Sequence, residues 1–242
     1  AGAFPANRYN ALSAVFDFKT IDGNADKGRY RAAVGASELS FTVDGPISDR
    51  TTYIVTARRS YLQFLFKALG LPFLPTFNDY QVKVKSKLDS KNEITFMSIG
   101  ALDQMRLDTS IKNPTEDQQY ILNYLPVFEQ WSYATGISYK HFMDNGSWTF
   151  VLSRNMLNNS QYKYKDNREV STNRLIDYSS TEQENKFRAE RLYRPGLYRI
   201  QYGISLEYAK YTNETFQKIF RGTAIDTFNF NSTLNLFKYG VF

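Results

Sequence analysis

Residues 79–88 read "DYQVKVKSKL", and the period of two in this stretch decides the fold class. Tyr80, Val82, Val84 and Leu88 share one parity, with the small Ser86 among them, while Gln81, Lys83, Lys85 and Lys87 share the other. Successive side chains of a β-strand point to opposite faces, so this is a strand with one apolar and one basic face. Such a strand separates either a protein core from water or lipid from a wet lumen.

The same alternation recurs outward from this point. Trp131, Tyr133, Ile137 and Tyr139 oppose Ser132, Ala134, Gly136 and Ser138. Tyr198, Ile200, Tyr202, Ile204, Leu206 and Tyr208 oppose Arg199, Gln201, Ser205 and Glu207. Near the end, Phe228, Phe230, Leu234 and Leu236 oppose Asn229, Asn231, Thr233 and Asn235. Between strands, tight turns such as "DSKN" (89–92), "MDNGS" (143–147) and "RPG" (194–196) alternate with long polar connections. Asp, Asn, Gly and Pro suit tight turns because they supply a positive or a preset φ. In an antiparallel meander alternate connections lie at one end. The short turns therefore gather at one end, and 62–77, 103–130, 156–185 and 212–226 are expected as loops at the other. That asymmetry is the pattern of an outer-membrane barrel. A soluble sandwich also alternates inside and outside, but the polar faces here hold little beyond Gly, Ser, Thr, Asn and scattered charge.

Composition narrows the classes. With 18 Tyr and 19 Phe in 242 residues the chain is too aromatic to be disordered. The net charge of +6 is scattered rather than clustered, so no nucleic-acid partner is expected. The absence of cysteine excludes disulfides, thiolate metal sites and thiol nucleophiles within this chain. The opening "AGAFPANRYN" lacks a basic region followed by an apolar stretch, so no signal peptide is expected there. The longest apolar run, "YLQFLFKALGLPFLP" (61–75), is broken by Lys67 and Pro72 and is too short for a membrane helix. Leu62, Leu65, Phe66 and Leu69 fall at helical spacing ahead of Gly70 and Pro72. This segment is either a helix in an outer loop or a strand extended along the lipid. His141, the sole histidine, could serve Ser138 or Ser147 as a base, but it adjoins a tight turn where a polar residue needs no special reason. Asp103 and Asp108 read as solvated loop carboxylates rather than metal ligands. No metal, cofactor or catalytic residue is expected.

Three stretches, "GAFPANRYNALSAVFDFKT" (2–20), "DGNADKGRYRAAVGASELSFTVDGPI" (22–47) and "RRSYLQFLFKALGLPFLPTFNDYQVKVKSKL" (58–88), resemble TonB-dependent outer-membrane receptors. The form with an added carboxypeptidase-regulatory-like domain is the most similar. In that family the plug ends in Gly-x-Pro-x-x-Tyr-Gly followed by a strand. Gly2, Pro5 and Tyr9 fit loosely, Asn10 stands in place of the last Gly, and "LSAVFDFK" (12–19) is the candidate last plug strand. The resemblance implies that 1–24 is the end of a plug domain and 25–242 the N-terminal half of an all-β antiparallel transmembrane barrel. It would supply roughly ten of about 22 strands. It further implies an outer-membrane receptor of a Gram-negative bacterium that takes up a scarce nutrient (metal chelate, oligosaccharide or peptide). TonB would act through a segment absent from this chain. Outer-membrane lipid, and over 61–75 a surface lipoprotein, are the other expected partners. The alternative is a non-transporting surface β-protein, such as an adhesin or a soluble β-sandwich binding domain.

A ligand site is expected at the lumen mouth, from Arg58, Gln81, Arg106, Trp131, Arg154, Asn155 and Tyr208. Three arginines and two aromatics suit an anionic chelate; with Asn158 and Asn159 they equally suit an oligosaccharide. Lys85 and Lys87 are expected near the short-turn end of the lumen, either pairing with a plug carboxylate such as Asp17 or simply hydrated.

Overall fold

The alternating segments pair in the order in which they occur. In the computed structural model, which describes residues 4, 6–8, 14–222 and 224–242, ten strands form one antiparallel sheet in sequence order. They are β1 (Arg29–Val34), β2 (Glu38–Ser48), β3 (Thr51–Ser60), β4 (Phe73–Lys87), β5 (Asn92–Leu107), β6 (Val127–Met143), β7 (Gly146–Tyr164), β8 (Arg174–Tyr193), β9 (Ile200–Arg221) and β10 (Ala224–Val241). Two helices sit in the connections at one end, α1 (Leu62–Ala68) between β3 and β4 and α2 (Glu116–Tyr124) between β5 and β6. The fold is the expected all-β meander. Gly2, Pro5, Tyr9, Asn10, Leu12 and Ser13 lie outside the described residues. Residues 14–28 carry no strand, so the plug strand expected over 12–19 is not formed in its described part.

The strands are taller than a bilayer requires. β7, β8, β9 and β10 run 19, 20, 22 and 18 residues, where nine to eleven tilted residues cross the hydrocarbon. Two expected loops are thereby corrected. Most of 156–185 is a β7–β8 ladder closed by 165–173, and 212–226 is β9–β10 with a turn starting at Gly222. These segments have polar side chains but no Pro, and Gly only at the turn, so nothing removes a ladder donor. Backbone pairing then satisfies their amides better than a loop would.

The register defines two faces. Residues 14–28 run across the face that carries Lys83, whose Nζ lies 2.6 Å from the Asp22 carboxylate and 2.9 Å from the Thr20 carbonyl oxygen. Directly paired residues share a face. Following the ladders from Lys83 places Arg58, Asp79, Gln81, Asp103, Asn155, Glu184, Glu207 and Lys238 on this inner face. The outer face carries Val55, Val82, Phe96, Ile137, Phe150 and Ile204. Nothing among the described residues covers it. Leu102, Leu152 and Ile200 are 57%, 58% and 47% exposed, and among the described residues the buried apolar side chains are Leu122, Ala189 and two prolines, Pro72 and Pro75.

β10 departs from expectation. Leu236 pairs with Ala209 and Leu234 with Tyr211, so Phe228, Phe230, Leu234 and Leu236 lie on the inner face. The outer face of β10 carries Asn229, Asn231, Thr233 and Asn235, then Phe237, Tyr239 and Val241. The register is held by the inner ion pair of Lys238 with Glu207, at 2.7 Å. Outer-face polarity therefore changes along one row of paired residues, Arg154, Asn185, Tyr208 and Phe237. The next outer row toward the short turns is Leu152, Phe187, Leu206 and Tyr239. The next row toward the helices is Met156, Gln183, Lys210 and Asn235.

Candidate functional site

The inner face is organised by two lysines of the opening stretch. Asp22 receives both Lys83 (2.6 Å) and Lys85 (2.9 Å), and Lys85 also meets Glu93 at 3.3 Å. Burial pushes the Asp22 carboxyl up, but the hydrogen bonds from Lys83 and Lys85 more than offset it, leaving its pKa below the ordinary value. Asn24 donates its backbone N–H to Asp44 at 3.0 Å and pins the same segment further along. The carboxylate these lysines meet is thus Asp22; Asp17 lies instead 3.8 Å from Arg8. Lys87 stands opposite Glu93 in the ladder without an ion pair among the described residues.

Toward the helix-bearing end, the inner face encloses a cavity of about 850 Å³ bordered by β3 to β8. Its lining includes Arg58, Asp79, Gln81, Asp103, Asn155, Glu182 and Glu184. One face of a sheet can line a single cavity from six consecutive strands only if the sheet curls around it. Arg58 is already committed, with Nε 2.8 Å from Asp79 and Nη1 3.5 Å from Glu38. Asn155 donates to Glu184 at 3.1 Å, and Glu184 also holds Lys186 at 2.5 Å. Asp103 and Glu182 have no ion-pair partner among the described residues. The cavity is therefore a carboxylate-rich, hydrogen-bonding surface.

Of the seven expected ligand residues, Arg58, Gln81 and Asn155 meet in this cavity. The other four are on the outer face and are corrections. Trp131 pairs with Leu102, and its ring stacks on Tyr133 with centroids 6.3 Å apart. Arg154 pairs with Asn185, Tyr208 with Phe237, and Arg106 with Leu74. Arg154 and Asn155 are consecutive in a strand, so they could never share a face. The three-arginine site for an anion is lost with them. Asn158 donates to the Ser180 carbonyl oxygen and to Thr181, on the outer side. Asn159, paired with Gln130, faces inward.

The helices form a cap above the sheet. The 61–75 segment is helical, and Gly70 leaves α1 with φ of 70°, a conformation open to glycine at no steric cost. α2 begins in a capping box: Thr115 accepts from the Gln118 N–H, and the Gln118 side chain accepts from the Thr115 N–H. The Gln118 amide also donates to the Gly70 carbonyl oxygen at 2.7 Å, tying the two loops together. Lys163, 4% exposed, reaches under α2 and donates to the carbonyl oxygens of Leu122 and Leu125 and to Asn167 Oδ1 at 2.7 Å. Without a carboxylate partner, its burial lowers its pKa to about 8. The cap exposes Phe64, Leu69, Tyr120 and Tyr124. Neither α2 nor Lys163 was expected, although "TEDQ" (115–118) spells a capping box.

The remaining candidates have local partners. His141 Nδ1 is 2.7 Å from Asn92 Oδ1, and Ser138 and Ser147 lie on the opposite face. Asp108 accepts from the Ser110 hydroxyl and N–H, which lowers its pKa.

No family model and no curated protein matches this sequence. Among solved structures, the chain is similar to a mutant of the ferric enterobactin receptor from Pseudomonas aeruginosa. Identity is 13% and the TM-score 0.49, covering 89% of this chain and 35% of that one. A second mutant of that receptor, in complex with enterobactin, gives 13% identity and a TM-score of 0.47 over 80% of this chain and 30% of that one. A third gives 12% identity and 0.49. The chain spans about a third of the length of these receptors.

Proposed function

We propose that this chain is part of a TonB-dependent outer-membrane receptor: the end of the plug, carried in 1–24, and the first half of the barrel. The observation that carries this reading is the outer face. A sheet of ten strands presents an apolar band on its outer face with no second layer over it among the described residues. In water such a surface is an aggregation hazard; in lipid it is the required solvent contact. The resemblance of 2–20, 22–47 and 58–88 to the family supports the TonB-coupled role. So does the 14–28 segment, held on the inner face by Asp22 as the tail of a plug would be. Uptake of a nutrient through the inner side follows, and no covalent chemistry is needed.

Ligand class follows from the cavity. Its carboxylates favour a neutral or cationic, hydrogen-bonding solute such as an oligosaccharide or peptide over an anionic chelate.

Because this chain has no cysteine, single-cysteine labelling of intact cells tests the topology. A membrane-impermeant maleimide should label Asn123→Cys and Asp166→Cys at the cap end. It should spare Asp89→Cys and Asp144→Cys in the short turns until the cells are broken. Labelling of the short turns on intact cells would overturn the assignment.

A further inference from the structure

The row at which outer-face polarity changes holds an arginine without a carboxylate. Arg154 donates Nε to the Tyr133 hydroxyl at 3.0 Å, Nη1 to Asn185 Oδ1 at 3.1 Å, and Nη2 to Gln183 Oε1 at 3.0 Å and to Met156 Sδ at 3.9 Å. All four acceptors are neutral, so the guanidinium is oriented but its charge is not compensated. A guanidinium has five N–H groups, so one, on Nη1, remains for an outside acceptor. Gln183, which Arg154 holds, stands opposite Lys210 in the ladder, so Lys210 shares the outer face with Arg154 one strand beyond Gln183. Lys210 has no hydrogen bond or ion pair among the described residues. The nearest acidic residues on this face, Glu129 and Glu214, stand four residues further up β6 and β9 from Tyr133 and Lys210. At 3.3 Å per residue that is about 13 Å away. Immediately below lie Leu152, Phe187 and Leu206, the apolar band.

We propose that Arg154 and Lys210, framed by Tyr133, Gln183 and Asn185, form a binding site for the phosphate of a membrane lipid whose acyl chains lie along the band beneath. The remaining guanidinium N–H donates to one phosphate oxygen, and the uncompensated charges of Arg154 and Lys210 together favour the anion. The position, one residue row above the apolar surface, is where a headgroup phosphate meets the protein. The proposal rests on the outer-membrane reading above, and it goes beyond that reading by naming a lipid chemistry and the residues that select it.

The test uses the intact protein and a variant, Arg154→Gln with Lys210→Gln, each first checked for heat-resistant folding in detergent. Both are offered phosphatidylcholine vesicles, and separately diphosphorylated lipid A and its dephosphorylated form, with retention read by native mass spectrometry. The wild type should retain the diphosphorylated lipid in preference to the dephosphorylated one. The double variant should bind it roughly thirtyfold more weakly, as loss of two surface cations implies. Arg154→Lys, which keeps the charge and loses the hydrogen bonds that orient it, should fall between. Equal retention by wild type and double variant overturns the site. Displacement of the lipid by 10 mM inorganic phosphate, on the order of a free-anion site's working range, overturns the lipid assignment in favour of free phosphate. Insertion into phosphatidylcholine without phosphate selectivity strikes only this site. Failure of the folded protein to insert into any vesicle strikes the membrane reading, and the site with it.

Discussion

The lower and upper halves of strands β7 to β10 use the same backbone ladder and opposite side-chain rules. Toward the short turns, the outer face is Phe150, Leu152, Phe187, Ile204, Leu206 and Tyr239, while the inner face holds ion pairs such as Glu207–Lys238. Above the row of Arg154, Asn185, Tyr208 and Phe237 the outer face turns to Gln183, Lys210, Thr212, Asn231 and Asn235. There the apolar residues of β10, Phe228 and Phe230, turn inward. Backbone hydrogen bonding is indifferent to the change, because a ladder needs only extended residues. On the proposed outer-membrane reading, what differs is the solvent outside the sheet, lipid below and water above. A strand can therefore be twice as long as a bilayer demands and still obey one rule at each level.

The sharpest way to break this comparison is to move one charge across the boundary. Ile204→Lys, on the outer face in the apolar band, should destabilise the folded protein in vesicles by about 2–4 kcal/mol. Thr212→Lys, on the same face of the same strand above the boundary, should stay within about 0.5 kcal/mol. Reversible urea unfolding from vesicles measures both. Similar costs at the two positions would mean that the polarity change is not the membrane boundary.

The upper half should depend instead on polar networks, and Lys163 is its most exacting member. Lys163→Ala leaves the Leu125 carbonyl oxygen without the Lys163 donor and the Leu122 oxygen with the Asn167 amide alone, at about 1–3 kcal/mol for a buried unsatisfied group. Amide exchange over 116–125 should accelerate while exchange in the band of β7 to β9 stays unchanged. Uniform acceleration would deny the upper half its independence. The same lysine gives a pH signature. Its pKa is about 8 in the fold against 10.5 when unperturbed, so between those values the unfolded chain binds more protons. Its contribution to stability is then flat below about 8 and grows as pH rises toward 10.5. An NMR titration of its side-chain nitrogen should show a midpoint near 8; a midpoint above 10 would mean that water reaches the site.

The smallest expected effect is at the helix start. Thr115→Ala removes half of the capping box and should cost about 1 kcal/mol, confined to α2. Local amide exchange checks it, and no change at α2 would show that Lys163 and Gln118 alone hold the cap.

Within single segments the sequence was sufficient. Alternation in 79–88, 131–139 and 197–208 gave strands, Asp-Asn-Gly turns gave the meander, and Leu62, Leu65, Phe66 and Leu69 before Gly70 allowed α1. The capping box at Thr115 is equally local, but polar surroundings hide the helix that it starts. These signals are local: propensity, period and turn geometry act within a few residues. Which parity of one strand shares a face with which parity of the next is decided elsewhere, by ladder register across residues far apart in the chain. That is why Arg58 and Asn155 meet in one cavity while Arg154 faces outward, why the apolar residues of β10 turn inward above the boundary, and why Lys83 and Lys85 meet Asp22 instead of Asp17. Parity within a strand belongs to the sequence; parity between strands belongs to the fold.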